Sequence, residues 1–378
     1  MTITISRMRK ITYGQVGDNY YTKDPIKKLA QIAAVKTAIN LKKSGFSEIS
    51  DSRGESAFVW QQGDVLMASV VEGLGTKNLV ADKMRKIVDP ERSRRTYYDV
   101  IGHDTVACII NDLVTVGAKP LVVHAYWAIE DNSWLSDGKR MKDLIGGWAA
   151  ACNLAGATWG GGETPTLKGI IKSETVDLGG SATGIIESEK RVITAQNLKV
   201  DDRIILIKSA GINANGISLA RAVAAKLPKG YATKLSDGQL YGEVVLTKTN
   251  IYAKLVQNLL DAGIHIHYIT NITGHGLRKI MRASQNFTYF VEKIFEPQEV
   301  FGFIQKHARL SDYEMYETFN MGQDYAIFLL AQDVKKAQNI ITQNGFEFLD
   351  AGFVSRGPRR VIIKPKNITF KSETLDLR

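Results

Sequence analysis

The chain has 378 residues, of which 44% are hydrophobic and 23% charged, and it carries a formal net charge of +10 with a pI near 9.3. The composition is that of an ordinary globular protein, and the length favours two domains over one. No apolar run approaches the ~18 residues that a membrane span needs, and the first residues lack the apolar core of a signal peptide. We therefore expect a cytoplasmic protein outside the membrane.

The charge clusters bear on the binding partners of the protein, and the cysteines bear on the redox state of its compartment. Basic residues gather in segments 83–95 and 356–366, without the interleaved aromatic side chains of a surface that binds single-stranded nucleic acid. The clusters are typical of solvated charge or of attraction to a phosphorylated small molecule, and they do not favour a nucleic-acid partner. Cys108 and Cys152 lie in apolar segments without metal-ligand spacing, which indicates core thiols of a reducing compartment.

The first predicted elements are a helix and a hairpin. Residues 13–21 are polar and contain glycine, which is typical of a loop or arm. Pro25 can open a helix, and apolar residues follow it at helical spacing as far as Gly45. Two β-like runs over 57–60 and 65–71, joined by a turn-forming sequence, predict a hairpin.

Residues 102–117 are predicted as a helix with Asp104 near its start and a glycine at its C-terminal stop. At 100° per residue, Asp104, Cys108 and Asn111 share one face and Asp112 lies at its edge. Acidic residues are unusual in so apolar a helix, which suggests a functional face.

The remaining chain mixes strands and helices. The predicted strands are 121–127, 177–186, 203–207, 287–292, 326–331 and 346–354, and the predicted helices are 141–152, 217–226, 246–262, 275–283, 297–307 and 334–343. Glycine loops are predicted at 158–164 and 209–216. The charged stretch 187–191 separates two halves, so we predict domains 1–188 and 189–378. Both halves mix strands and helices, which indicates an α/β or mixed α+β fold class.

Residues 72–77 read Glu-Gly-Leu-Gly-Thr-Lys at the end of a predicted strand. Glycines let a ligand approach the backbone, Lys77 supplies positive charge, and Glu72 can hold a metal, which are the parts that a polyphosphate site needs. The spacing matches neither the Walker loop nor GxGxxG. A plain strand-to-loop turn explains this stretch equally well.

Six sequence blocks occur in an order that carries a family likeness. They are EGLGTK (72–77), IGHDTVACIINDLVTVGAKPL (101–121), GGET (161–164), NGISLAR (215–221), NITGHGL (271–277) and EMYETFNMG (314–322). With them the chain resembles the aminoimidazole ribonucleotide synthetase (phosphoribosylformylglycinamidine cyclo-ligase) family, in the superfamily of selenophosphate synthetase and thiamine-phosphate kinase.

This resemblance implies two α/β domains and a homodimer in which the N-terminal sheets meet as a β-barrel. It also implies that ATP binds with magnesium near the dimer cleft, and that the other substrate is a small phosphoribosyl compound. In the implied reaction, ATP activates the amide oxygen of formylglycinamidine ribonucleotide. A nitrogen then closes the imidazole ring, and ADP and phosphate are released.

Residue chemistry and resemblance together define the candidate site. The candidate catalytic residues are Lys77, Asp104 and Asp112. The candidate metal ligands are Glu72, Asp104, Asp112 and Glu163. The candidate ATP and phosphate contacts are Gly73, Gly75, Thr76, Lys77, Asn111, Gly160, Gly161, Gly162 and Thr164. The candidate substrate contacts are Asn213, Asn215, Gly216, Thr273, Gly274 and Gly276. Four converging carboxylates would need cations or raised pKa values, and magnesium with a triphosphate meets that need.

Ordinary structural roles compete with these assignments. Asp104 can be a helix N-cap, Glu163 a solvated turn acid, and Gly160–Gly162 part of a helix stop. The polar groups of the second half can be turn formers. We interpret three histidines near the motifs as structural or solvated, namely His103, His124 and His275. Lys27 and Lys28 lie in a region where family members carry a lysine.

The chain departs from the family pattern at four places. Glu72 stands where the family has Asp, and Ala125 stands where it has a carboxylate. Residues 213–216 read Asn-Ala-Asn-Gly instead of His-Ser-Asn-Gly, and residues 278–282 read Arg-Lys-Ile-Met-Arg instead of Glu-Asn-x-Pro-Arg. The pattern fits a divergent cyclo-ligase and equally a paralogous ATP-dependent phosphotransferase with another acceptor. A nucleotide-binding protein without catalysis is the third hypothesis.

Overall fold

A computed structural model describes residues 10–12, 14, 20–88 and 95–375. The predictions for Tyr13, for 15–19 and for the basic residues at 92 and 94 lie outside these residues. The helices are α1 Tyr20–Lys36, α2 Ile39–Lys43, α3 Asn78–Val88, α4 Tyr98–Leu113, α5 Gly138–Ala155, α6 Ile217–Lys226, α7 Tyr241–Val245, α8 Ala253–Asp261, α9 Glu299–Ala308, α10 Asp312–Thr318 and α11 Val334–Gln343. The strands are β1 Ser47–Glu48, β2 Phe58–Gln62, β3 Val65–Gly73, β4 Lys119–Ile129, β5 Thr158–Glu163, β6 Val176–Ile186, β7 Arg203–Lys208, β8 Ile266–Asn271, β9 Phe287–Val291, β10 Gln323–Leu329, β11 Phe348–Arg356, β12 Arg360–Ile363 and β13 Ile368–Lys371.

Two mixed sheets organise these elements. The first sheet has six strands in the order β1-β2-β3-β6-β4-β5, and the second has seven in the order β13-β12-β9-β11-β7-β10-β8. The pairs β4–β5 and β9–β12 are parallel, whereas their neighbours in each sheet are antiparallel. This arrangement confirms the mixed α/β class. The predicted boundary at 188/189 falls between the two sheets and stays a prediction.

The β2–β3 hairpin forms as its two β-like runs predict, and it shows which face of the first sheet is covered. Leu66, Ala68 and Val70 are buried beneath α4, which packs against β3 and β6. Val65 and Val71 point to the opposite face, where they are 50% and 79% exposed. One face of this sheet therefore belongs to the core and the other carries exposed apolar side chains.

Helices α4 and α5 pack closely because glycines stand at their contact. A Cβ on Gly102 would lie 2.4 Å from the carbonyl oxygen of Leu144, and one on Gly147 would lie 2.1 Å from that of Asp99. This close contact brings α5 over α4 and fixes α4 against the sheet.

Two predicted helix starts are wrong. The sequence predicts a start at Pro25, but α1 begins at Tyr20 and contains the proline. Likewise α4 begins at Tyr98, so Asp104 lies in the helix interior and is not an N-cap. In both cases the stop signals downstream are easier to recognise than the true first turn, which lacks a side-chain cap in α4.

The helix predicted over 246–262 is shorter than expected. Only Ala253–Asp261 is helical, and residues 247–252 run without helix or strand. Backbone groups of this segment bond to side chains of the first half, which explains why apolar periodicity alone mispredicts it. None of the helices in the described part of the chain is long and apolar enough to cross a membrane.

The glycine loop predicted at 158–164 is a strand. Residues 158–163 form β5, which pairs in parallel with β4. A Cβ on Gly162 would lie 2.2 Å from the carbonyl oxygen of Ala125, so the glycine permits this pairing. The segment 275–283 is a 3₁₀ turn at Gly276–Met281 and not an α-helix. Strands β1, β8, β12 and β13 and helices α3, α7 and α10 were not predicted, whereas α2 lies within the single helix predicted as far as Gly45.

Candidate functional site

A cavity of about 510 Å³ lies where the two halves of the chain meet. Both halves contribute to its lining, and acidic and basic side chains face it together. The first half supplies Lys23, Lys27, Glu55, Ser56, Glu72, Gly73, Cys108 and Asp112. The second half supplies Ala214, Asn215, Asn271, Thr273, Gly274, His275, Lys279 and Arg282.

Two carboxyl groups meet on one wall of this cavity. Glu72, at the end of β3, lies within hydrogen-bonding reach of Asp112 on α4. Burial, and then the charge of Asp112, raise the pKa of Glu72 to about 7, although Lys279 opposes the shift. Asn271 Nδ2 donates a hydrogen bond of 2.7 Å to Asp112 Oδ1, so the second half fixes this carboxylate. The acid pair favours a proton or a cation between its members.

A buried cation faces the acid pair. Lys279 lies on the 3₁₀ turn, is 7% exposed and donates a hydrogen bond to Thr273 Oγ1. Burial lowers the pKa of the Lys279 ammonium to about 8, while Asp112 and Glu72 act in the opposite direction. Among the described residues no carboxylate comes within ion-pairing distance of Lys279. Its charge and the acid pair therefore face the same cavity without touching.

The neighbouring His275 adds no charge to the cavity. Burial, and then the charges of Lys279 and Arg278, lower the pKa of His275 to about 2, so its imidazole is neutral at physiological pH. His275 therefore acts as a neutral polar lining residue.

Lys77 and Asp104 form an ion pair beneath the cavity. Both side chains are fully buried, and Lys77 Nζ lies 2.5 Å from Asp104 Oδ2. The ammonium also donates to the carbonyl oxygen of Thr247 at 2.9 Å, and the backbone N–H of Thr249 donates to Asp104 Oδ1 at 2.9 Å. Two of the three predicted catalytic residues, Lys77 and Asp104, thus hold the segment 247–252, and neither lines the cavity.

The predicted face of α4 continues these contacts. Asn111 Nδ2 donates to the carbonyl oxygen of Asn250 at 2.7 Å, and the backbone N–H of Tyr252 donates to Asn111 Oδ1 at 3.0 Å. His103 Nε2 lies 2.8 Å from the carbonyl oxygen of Thr249. We call this set the interdomain seam, consisting of Lys77, His103, Asp104, Asn111 and the segment 247–252.

The second glycine loop contributes only part of its polar side chains to the cavity. Asn215 lines the cavity, whereas Asn213 is buried and donates to Asp324 Oδ1. Asp324 also accepts a hydrogen bond of 2.6 Å from the Tyr252 hydroxyl, and burial raises its pKa to about 7. In this arrangement Asn213 supports the loop, and Asn215 is its partly buried polar group at the cavity.

Two predicted substrate-contacting glycines have packing explanations. Gly216 has φ 72°, and a Cβ there would lie 2.0 Å from the ring of Phe319. Gly276 has φ 53°, and a Cβ there would lie 2.3 Å from the carbonyl oxygen of Tyr316. These positions need glycine whether or not a ligand binds. Thr273 and Gly274, by contrast, line the cavity.

The residues after Glu72 lead away from the cavity. Gly73 lines it, and the chain then turns through Gly75, at φ 74°, towards α3. Thr76 Oγ1 lies 3.5 Å from Ser218 Oγ in the second half. The stretch is therefore partly cavity wall and partly interdomain contact.

The fourth predicted acid does not join the others within this chain. Glu163 and Gly160–Gly162 belong to the edge strand β5, with Thr164 directly after it. Strands β6 and β4 separate β5 from β3, so roughly 14 Å of sheet lies between them. Among the described residues no three acidic, histidine or cysteine side chains form a group able to hold a metal. The expected four-acid convergence is thus wrong for a single chain, because the sheet order keeps β3 and β5 apart.

Four charged cavity residues were not predicted: Lys23, Glu55, Lys279 and Arg282. Both Lys279 and Arg282 lie in the segment 278–282, where Lys279 departs from the family pattern and Arg282 matches its arginine. Glu55 accepts hydrogen bonds from the backbone of Ala195 at 3.1 Å and the hydroxyl of Tyr268 at 2.7 Å. No local pattern marks such a residue, because its partners lie far along the chain.

Comparisons with known proteins identify the family. The model of the AIR synthase related protein N-terminal domain matches residues 55–186, and that of the C-terminal domain matches residues 199–364. The chain belongs to the AIR synthase related protein family. A phosphoribosylformylglycinamidine cyclo-ligase from Methanocaldococcus jannaschii is 32% identical over 281 residues, which are 74% of this chain and 75% of that protein. The protein of the same name from Methanococcus maripaludis (strain S2) is 29% identical over 336 residues, which are 86% of this chain and 87% of that protein.

Solved structures share the fold of this AIR synthase related protein. The thiamine-monophosphate kinase from Stenotrophomonas maltophilia superposes with a TM-score of 0.55 at 14% identity, covering 82% of this chain and 88% of that one. T. maritima PurL complexed with ADP gives a TM-score of 0.53 at 15% identity, covering 85% of this chain and 46% of that one. At these identities the likeness supports the common fold and nothing narrower.

The interdomain seam yields a stability prediction. Lys77→Met should lower the free energy of unfolding by roughly 3–5 kcal/mol, because it leaves the Asp104 carboxylate buried without its partner. Adding Asp104→Asn should recover part of this loss, since the uncompensated charge is then gone. Chemical denaturation of the full chain measures both effects.

The matched control is Lys364→Met. Lys364 pairs with Glu292 at 2.6 Å, but their side chains are 50% and 39% exposed, so the variant should unfold almost as the wild type does. If Lys77→Met and Lys364→Met lowered the free energy of unfolding equally, the ion pair of the interdomain seam would not be what stabilises the contact between the two halves.

Proposed function

We propose that this protein is an ATP-dependent cyclo-ligase that closes the imidazole ring of formylglycinamidine ribonucleotide, forming aminoimidazole ribonucleotide and releasing ADP and phosphate. The observation that carries the proposal is the interdomain cavity, where an acid pair faces a group of cations in a chain of the AIR synthase related family. The curated relatives that span most of the chain bear the cyclo-ligase name.

The cavity has charges suited to both substrates of this reaction. Lys23, Lys27, Lys279 and Arg282 present positive charge to phosphate groups. Arg282 is held in place by the carbonyl oxygen of Gly54, to which its Nη2 donates at 2.9 Å. Phosphoryl transfer needs mainly positioning and neutralisation of charge, so the reaction requires no nucleophilic side chain from the protein.

Magnesium fits the acid pair. Mg²⁺ is commonly held by one or two carboxylates together with phosphate oxygens, and Glu72 and Asp112 offer two carboxylates at the cavity wall. Burial, and then the charge of Asp112, raise the pKa of Glu72, and a divalent cation held by both acids would offset this cost. When bound, the metal would neutralise developing charge on phosphate oxygens. Asp104 is engaged by Lys77 and Glu163 lies on β5, so we assign the metal to Glu72 and Asp112.

The remaining lining residues divide between the two substrates. We assign the nucleotide phosphates to the backbone at Gly73 and to Lys279, next to the metal ligands. The polar groups of Asn215, Thr273 and Gly274 come from the second half and are assigned to the ribonucleotide. In this assignment Lys77 and Asp104 are positioning residues, because they fix α4 and therefore the place of Asp112.

An activity assay tests the proposal. Purified protein with ATP, Mg²⁺ and formylglycinamidine ribonucleotide should release ADP and form aminoimidazole ribonucleotide. Asp112→Asn should lower kcat by about 10²-fold or more, because a charge that stabilises the transition state is lost. The control is Asp99→Asn on the same helix, whose exposed carboxylate pairs with Lys248 at 3.0 Å, and it should keep nearly full activity. Absence of ADP release that depends on the ribonucleotide would sink the cyclo-ligase assignment.

One observation favours a second candidate, an ATP-dependent phosphotransferase with another acceptor. Asn213 is committed to Asp324 and Ala125 offers no polar group, so two positions where the family pattern has polar side chains contribute none to the cavity. Thermal-shift screening with formylglycinamidine ribonucleotide, thiamine phosphate and related compounds separates the two functions. Stabilisation only by a compound other than the amidine would favour the phosphotransferase.

We further propose that the enzyme works as a cytoplasmic homodimer that pairs through the open face of its first sheet. This face carries Val65, Val71, Leu121 and Tyr126, which are 50%, 79%, 38% and 41% exposed. Large apolar side chains exposed together on one sheet face favour an interaction surface there. The free thiols Cys108 and Cys152 are in keeping with a reducing compartment.

The dimer has its own test. Val71→Glu places a charge at the centre of the open face, and it should shift the sedimentation coefficient from that of a dimer to that of a monomer. Leu154→Glu is the control, because Leu154 is 62% exposed on α5, on the covered side of the sheet. A wild-type monomer, or equal dissociation by both variants, would refute pairing through this face.

A further inference from the structure

Lys279 introduces a fixed positive charge beside the proposed metal ligands. We propose that Lys279 keeps a divalent cation away from Glu72 and Asp112 until a polyphosphate is bound, so that metal and nucleotide enter the cavity together. This inference rests on the proposed function, because it concerns the nucleotide site assigned there.

Lys279 lies where its charge acts on both acids. Its side chain is 7% exposed, it lines the same cavity as both acids, and its charge interacts with each of them. Within the described residues it is held by Thr273 Oγ1 and pairs with neither acid. The ammonium therefore acts on the acid pair at a distance and is not consumed by a direct ion pair.

Among the described residues, the ammonium of Lys279 has hydrogen-bonding capacity that its one acceptor does not use. An ammonium has three donors, and Thr273 accepts from one of them. A nearly buried ammonium is costly unless its remaining donors meet acceptors, and anionic oxygens are the strongest acceptors for it. The oxygens of a polyphosphate meet this need at the cavity. Lys279 is thus built to receive phosphate oxygens.

The charges in the cavity couple the binding of the divalent cation to the binding of the polyphosphate. Without a nucleotide, a divalent cation that approaches Glu72 and Asp112 also meets the fixed charge of Lys279, in a partly buried site where screening is weak. A bound polyphosphate contributes several negative charges and satisfies Lys279. The acid pair and the phosphates then attract the metal together. Because such coupling is reciprocal, the metal must strengthen nucleotide binding by the same factor.

Mn²⁺ binding, followed by electron paramagnetic resonance at pH 7.0, tests this proposal without turnover. Wild-type protein should bind Mn²⁺ alone weakly, and a non-hydrolysable ATP analogue should raise the affinity at least about 10-fold, within the usual range of coupling between sites. Lys279→Met should bind Mn²⁺ alone about 10-fold more tightly than the wild type and gain less from the analogue. Lys279→Arg keeps the charge and should resemble the wild type.

Two controls sharpen the result. Lys27→Met removes a charge from the same cavity, but from an exposed residue of α1, and should change the Mn²⁺ affinity less than twofold. Adding Asp112→Asn to Lys279→Met should abolish the gained affinity. If the gain survives that change, the metal binds elsewhere and the proposal is wrong.

An unchanged Mn²⁺ affinity in a folded Lys279→Met variant would also overturn the proposal. Thermal melting checks the fold, and Lys279→Gln takes the place of the methionine variant if that variant does not fold. Failure of the wild type to bind the ATP analogue would refute the proposed function instead. The comparison of variants with Mn²⁺ alone still decides the repulsion by Lys279 in that case.

Discussion

A fully buried ion pair, Lys77 with Asp104, governs how the two halves of this protein meet. Burying both charges is tolerable only when their hydrogen bonds are satisfied, and Thr247 and Thr249 of the second half satisfy them. Asn111 extends the same contact along α4. Because α4 is fixed in this way, Asp112, one residue beyond Asn111, is held against the cavity.

The cavity follows from this meeting of domains. Glu72 lies at the end of strand β3 in the first sheet, and α4 brings Asp112 beside it. The second half adds Lys279 and Arg282. The first half supplies the acids and two lysines near its N-terminus, and the second half supplies the buried cation that faces the acid pair. Sites at domain interfaces are common for this reason, since each domain supplies groups that the other lacks. A reaction that joins a metal–polyphosphate with an anionic ribonucleotide suits such a site.

Local patterns predicted much of the fold. The hairpin, α5 with its stop at Gly156, β6, β7 and α6 follow from β-like runs, helical spacing and glycine. The segment 247–252 was predicted as the first part of the helix 246–262, whereas its backbone bonds to a distant part of the chain. β5 was predicted as a loop because its glycines hide their pairing with β4.

The candidate site was predictable only in part. Motifs pointed to Glu72 and Asp112, and the structure brings them together. The spacing of the motifs could not show that Lys77 and Asp104 face the interdomain seam. Nor could it show that Glu163 lies three strands away from Glu72 in the sheet, because sheet order and domain contact are non-local. Lys279 became visible as a cavity cation only when its burial and its neighbours were known.

The most direct test of this account is a crystal structure of the full chain with a non-hydrolysable ATP analogue, Mg²⁺ and formylglycinamidine ribonucleotide. The account predicts phosphates in the interdomain cavity, a metal held by Glu72 and Asp112, and an intact Lys77–Asp104 pair beneath them. A nucleotide whose phosphates lie away from Glu72 and Asp112 would contradict it.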